Sequence, residues 1–231
     1  MTDPALFRLR VEFCKKGRLS LLSHLEVARA LERAVRRSGL PFAVSQGFSP
    51  HMRIAFGAAL PVGVGGEHEL FDLLLKRYVD PDEALVALRR ASVDDLMVLS
   101  CAYIHHQAEA ASVAFPVCSY AAELSCAPGT LRVPAQVTVV RKNKEKTLRT
   151  PDFIVGRPVL RGRRVEFELE SKPTGSLRPD LLVRACCEAT RDEGVEAAFV
   201  IENLEPPDAA GFSSTGGLSV RSLTRTAQRK A

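Results

Sequence analysis

The chain has no tryptophan and only three tyrosines among 231 residues. Any platform on which nucleobases stack must therefore draw on its 11 phenylalanines, helped by histidine or arginine. Long hydrophobic runs are missing too: no stretch approaches the roughly 20 apolar residues that span a bilayer. The start, Met1 to Phe13, lacks a basic segment followed by an uninterrupted apolar run, so no secretory signal is expected there. The cysteines, Cys14, Cys101, Cys118, Cys126, Cys186 and Cys187, form no C-x-x-C pair. They stand at neither zinc nor iron–sulfur spacing with each other or with histidine. They read as reduced thiols of a soluble cytoplasmic protein. No cofactor motif is present, so no cofactor is expected in this chain.

Apolar residues make up 46% of the chain, and the length allows one large domain or two small ones. The net charge of +5 is unevenly spread. Residues 141–164 carry Arg141, Lys142, Lys144, Lys146, Arg149, Arg157, Arg161, Arg163 and Arg164 against only Glu145 and Asp152. That segment nets +7, and the remainder of the chain −2.

Leu6 to Phe13 alternates apolar and charged residues, the pattern of a half-buried strand. A helix follows, with Ser23 as N-cap, Glu26 closing a capping box, and an apolar stripe of Leu21, Leu25, Ala28, Leu31 and Val35. Gly39 and Pro41 stop it. Met52, Ile54 and Phe56 read as a short strand, and Leu70 to Leu75 as another. Asp80-Pro81-Asp82-Glu83 opens a second helix to about Arg90, and Leu96 to Ile104 makes a fourth strand. This βαββαβ order is that of the ferredoxin-like plan. Residues 105–116 read as a linker. Strands are then expected at 117–126, 135–140 and 163–169, a helix at 178–191, and a strand at 197–201. Pro128-Gly129 and Pro134 forbid a full helix where the repeat would place its first one. The expected fold is therefore α+β, with two ferredoxin-like halves (1–104 and 117–204) packed side by side, the second with a degraded first helix. Residues 205–231, rich in Pro, Gly and Ser and then basic, are expected to be a disordered tail.

Three features could carry chemistry. The loop Ser45-Gln46-Gly47-Phe48-Ser49-Pro50-His51 offers polar groups at its rim, and Arg53 adds a fork suited to phosphate. Phe48 could stack on a base, pack on a partner protein, or plug the core. His24, in the first turn of the first helix, could pair with His51 as acid and base for RNA cleavage. The basic segment fits a phosphate-backbone contact whose affinity depends on salt; a solvated hairpin is the plainer reading. Gly57 to Gly66 lacks the Lys and Ser/Thr of a phosphate-binding loop. Asp72, inside an apolar strand, reads as a buried polar partner or, more plainly, as a residue on a face open to water.

Several runs are similar to a known family: Arg10-Val11-Glu12-Phe13 with Lys16-Gly17, Leu22-Ser23-His24-Leu25, Ala30-Leu31-Glu32-Arg33-Ala34, Ser45 to His51 with Arg53-Ile54 and Phe56-Gly57, and Leu60-Pro61-Val62-Gly63. Leu177-Arg178-Pro179-Asp180 and Arg225-Thr226 extend the likeness. The chain resembles the bacterial radical SAM-linked proteins. That resemblance implies a radical S-adenosylmethionine enzyme as partner, holding the S-adenosylmethionine and the iron–sulfur cluster, and a role in tRNA or rRNA modification. The cluster needs C-x-x-x-C-x-x-C, which this chain lacks. Three functions follow as expectations: an accessory RNA-binding module; a protein adaptor that docks the radical enzyme through the same Ser45 to His51 loop and does not touch RNA; or a metal-independent ribonuclease using His24 and His51. No membrane or DNA contact is expected.

Overall fold

The computed structural model describes residues 6–141, 144–192, 194–205 and 217–231, with the side chains at 141 and 144 left aside. The chain divides into two compact units, up to residue 115 and from residue 116.

The first unit runs β1 (Phe7–Lys15), α1 (His24–Arg37), β2 (Ile54–Phe56), β3 (Val64–Leu75), α2 (Pro81–Ala91), β4 (Val98–Tyr103) and the single turn α3 (Ala111–Ala114). Its strands lie in the order β4-β1-β3-β2, and each neighbouring pair is antiparallel. The alternation in β1 sets the faces. Leu9, Val11 and Phe13 are buried, and they cluster with Phe71 and Leu73 of β3 and with Leu31, Val35 and Leu88 of the two long helices. Ser23 caps α1 and Glu26 reaches back to the Ser23 backbone, so the capping box forms as the sequence suggests. The buried stripe differs from the expected one: it is Val27, Ala28, Leu31, Ala34 and Val35. Leu21 belongs to a 3-10 turn (Gly17–Leu21) ahead of the cap, out of phase with the helix, and both Leu21 and Leu25 are exposed.

The opposite face of β1 carries Arg8, Arg10 and Glu12. Asp72 takes the buried alternative rather than the water-facing one: only 3% of it is exposed. It accepts a hydrogen bond from Arg8 at 2.7 Å and a two-pronged contact from Arg10 at 2.7 and 3.0 Å. The same arginines reach residues 105–115. Arg8 donates to the carbonyls of His106 and Ala108. Arg10 donates to the Glu109 carbonyl at 2.9 Å and lies over the Phe115 ring at 5.4 Å. The expected linker is therefore a strap of the first unit, fixed by charge-assisted bonds to its backbone.

The second unit runs β5 (Val117–Leu124), β6 (Thr130–Pro134), β7 (Gln136–Arg141), β8 (Lys144–Arg149), β9 (Ile154–Arg161), β10 (Arg164–Glu170), α4 (Pro179–Arg191), β11 (Ala197–Glu202) and β12 (Val220–Arg229). β12, β5, β10 and β9 lie side by side in that order, antiparallel; β6 pairs with β11, and β7 with β8. Among the described residues the βαββαβ order of the first unit is not repeated. The segment after Pro128-Gly129 makes β6, with Leu131 and Val133 buried, and the closing strand β11 pairs with it rather than with β5. The expected disordered tail is corrected as well. Residues 220–229 form β12 along β5, burying Leu223 and Arg225; residues 206–216 lie outside the described residues. Arg225, 2% exposed, donates to the Cys118 sulfur at 3.8 Å and bonds the Tyr120 hydroxyl. Burial pushes that hydroxyl's pKa well above the ordinary range, against the lowering effect of Arg225. The described fold is thus α+β and mostly sheet, with four α-helices among the described residues. No helix among them is long and apolar enough to cross a membrane.

Candidate nucleic-acid interface

The loop from 45 to 51 is built on β3. Phe42 bridges to Leu75, Ala43 donates to the Leu74 carbonyl at 2.7 Å, and Leu74 donates to the Arg53 carbonyl at 3.0 Å. Val44 and Met52 bridge at its neck. Above them, the Ser45 amide donates to the His51 carbonyl at 2.8 Å and the His51 amide to the Ser45 hydroxyl at 3.0 Å. Gly47 takes φ +134°, a conformation that side-chain-bearing residues rarely adopt. The closed loop leaves Phe48 wholly in solvent, at 110% of its reference exposure. Of the readings of Phe48, the core plug is excluded, and a base or a partner protein remains. Gln46, Ser49, His51 and Arg53 are exposed around it. At the base of the loop, Ser45, Gln46, Arg53 and Lys76 border a groove of about 530 Å³, with Leu6, Ala43 and Val44 as its apolar part. The loop therefore offers an aromatic face and two cations.

His24 and His51 sit on different features. His24, the first residue of α1, meets the Phe56 ring edge-on at 5.6 Å and lines a small cavity with Lys15 and Glu69. His51 stands at the loop neck. A third histidine, His68, is exposed, and its Nδ1 contacts the Glu12 carboxylate; Ser100 donates to the other Glu12 oxygen at 2.6 Å. Burial raises the Glu12 pKa, but the Ser100 and His68 bonds outweigh it and hold the carboxyl below its usual value. Here the carboxylate sits between hydroxyl and imidazole. A nucleophilic triad needs the imidazole in the middle, so this is a structural cluster. Among the described residues no group of three or more His, Cys, Asp and Glu side chains is placed to hold a metal ion.

The basic segment is divided between two hairpins. Arg141 and Lys144 are backbone partners in the ladder at the tip of β7–β8, and Lys142 lies outside the described residues. Lys146 donates to the Thr174 carbonyl at 3.1 Å. Arg149 is exposed, and strand alternation sets it on the opposite hairpin face from Lys146. In the second hairpin, Arg157 and Arg161 alternate outward along β9 between buried Pro158 and Leu160. Arg163 is exposed in the turn, beside Gly162 at φ +55°. Asn203 fixes this turn: its Oδ1 accepts from the Gly162 amide at 2.8 Å, and its Nδ2 donates to the carbonyls of Gly162 and Pro128. Nothing in the sequence marked Asn203, because its partners lie 41 and 75 residues away. Arg164 is held by Glu166 at 2.8 Å and Glu123 at 3.4 Å, so its charge is partly spent within the protein. The bond to Glu166 is the main cause of its raised pKa.

A family described as "Uncharacterized protein conserved in bacteria (DUF2344)" matches residues 8–173. The chain belongs to this family. The DUF2344 match takes in β1 to β10, hence both the loop and the basic hairpins, and stops ahead of α4. No curated protein matches the chain.

Proposed function

We propose that this chain is a non-catalytic RNA-binding module that serves a radical S-adenosylmethionine enzyme in tRNA or rRNA modification. The observation that carries the RNA half is Phe48: a fully exposed ring on a closed loop, above a groove bordered by Arg53 and Lys76. An aromatic face beside cations suits a nucleobase and its phosphate. Arg157, Arg161 and Arg163 of the second unit supply further phosphate contacts. The partner enzyme, with its S-adenosylmethionine and iron–sulfur cluster, rests on the sequence resemblance. We read the first unit, with its β4-β1-β3-β2 order and two helices on one face, as ferredoxin-like.

Phe48→Ala tests the RNA half. Base stacking on an aromatic contributes about 1–3 kcal/mol, so RNA affinity should fall roughly 5- to 150-fold. An unchanged affinity in fluorescence anisotropy removes the loop from the reading. The adaptor reading has its own support, because Leu21, Leu25 and Val62 are also exposed apolar residues of the first unit. Co-purification of the radical enzyme after nuclease treatment, abolished by Leu25→Asp but not by Phe48→Ala, would favour that reading.

A further inference from the structure

Two of the chain's three tyrosines meet at the surface of the first unit. Phe7 opens β1, Tyr103 ends β4, and Tyr78 follows β3; the antiparallel pairing brings these three strand ends to one end of the sheet. The Tyr78 and Tyr103 rings stack, with centroids 5.0 Å apart and planes 27° from parallel. Phe7 meets both edge-on, at 6.0 and 6.2 Å. Tyr103 is locked from below: its hydroxyl donates to the Val79 carbonyl at 2.8 Å and accepts from the Val79 amide at 3.0 Å. Tyr78 lies on this fixed ring and is 54% exposed, while Phe7 is 36% exposed.

A rigid aromatic stack left half in water marks a binding surface more than a core edge. Its neighbours point to the ligand. Lys76 and Arg77 are both exposed, immediately before Tyr78. Leu6 and Lys76 also border the groove at the foot of the Phe48 loop, so groove and aromatic cluster are joined through adjacent residues. Cations beside π-faces suit a chain that alternates phosphates with flat bases. Bases paired within a duplex have no free faces, so the surface favours unpaired ones.

We infer that Tyr78, supported by Tyr103 beneath it and flanked by Phe7, is a stacking platform for the unpaired nucleotides of single-stranded RNA, with Lys76 and Arg77 meeting the phosphates. This rests on the RNA-binding reading and narrows it to single strands.

The test is fluorescence anisotropy with the full chain, using a labelled oligouridine of about 12 nucleotides and an RNA duplex of equal length. The variants are Tyr78→Ala and Tyr78→Phe. Tyr78→Ala should weaken single-strand binding by roughly 5- to 150-fold, with its thermal unfolding unchanged. Tyr78→Phe keeps the ring and should keep the affinity. A chain that binds RNA equally well with Tyr78→Ala, or prefers the duplex, overturns this inference and leaves the RNA reading standing. A chain that binds neither RNA overturns both.

Discussion

Replacing Asp72 with alanine should unfold the first unit more readily than any surface change. The carboxylate is 3% exposed, and its partners Arg8 and Arg10 have side chains only 14% and 15% exposed. Alanine removes the carboxylate that neutralises both guanidiniums and leaves two like charges side by side in a poorly hydrated place, sharing only uncharged acceptors such as the Glu109 carbonyl. Breaking a buried ion pair from one side costs about 3–5 kcal/mol, and the low exposure of all three groups puts this site near that limit. With a urea slope of about 2 kcal/mol/M, the midpoint should drop by roughly 2 M. The strap should loosen too, since Arg8 and Arg10 also hold the carbonyls of His106, Ala108 and Glu109. A glutamate-specific protease should then cut faster after Glu109. Asp72→Asn, which keeps the shape and one acceptor, should fall between wild type and alanine. A loss below about 1 kcal/mol, the range of exposed ion pairs, with unchanged cleavage at Glu109, would refute this account of the strap.

Other outcomes follow from the second unit. Removing residues 217–231 should destabilise or unfold it, because β12 pairs with β5 and buries Leu223 and Arg225, and Leu218 just ahead of it is buried as well; a truncated chain with unchanged unfolding would contradict this. Glu168 accepts from Arg229 at 2.6 Å, and chiefly through that bond its pKa lies below the ordinary 4.5. A depressed carboxylate stabilises the fold above its unfolded pKa and loses that contribution as pH falls through the folded value. The stability gap between wild type and Arg229→Gln should therefore be full at neutral pH and close below about pH 4.5. A gap that widens on acidification would reverse the assigned sign.

Local signals were the legible ones. The Ser23 and Glu26 capping box, the alternation of β1, and Asp80-Pro81 at the start of α2 each depend on neighbours within a turn, and the structure forms all three. What escaped the sequence depends on distant partners. Asp72 looked like a solvent-facing strand residue because Arg8 and Arg10, which bury it, lie 64 and 62 residues earlier. Residues 105–115 looked like a linker because the bonds that hold them come from β1. β12 looked like a tail because its described buried side chains are one leucine and one arginine, too little apolar content to announce a strand. The second unit departs from the expected repeat because strand pairing, β11 with β6, is a long-range choice that periodicity does not encode. For the loop, the sequence supplied the polar rim and the glycine. The outward position of Phe48 depends on how β3 anchors the neck.

The salt dependence of RNA binding tests the central proposal most directly. Anisotropy titrations of a single-stranded RNA across rising salt should give a log–log slope that steepens by about 0.7 per phosphate neutralised. Arg157→Glu with Arg161→Glu, both exposed and outward on β9, should make that slope shallower without changing thermal unfolding. Absent or salt-insensitive RNA binding by the intact chain would contradict the proposed function.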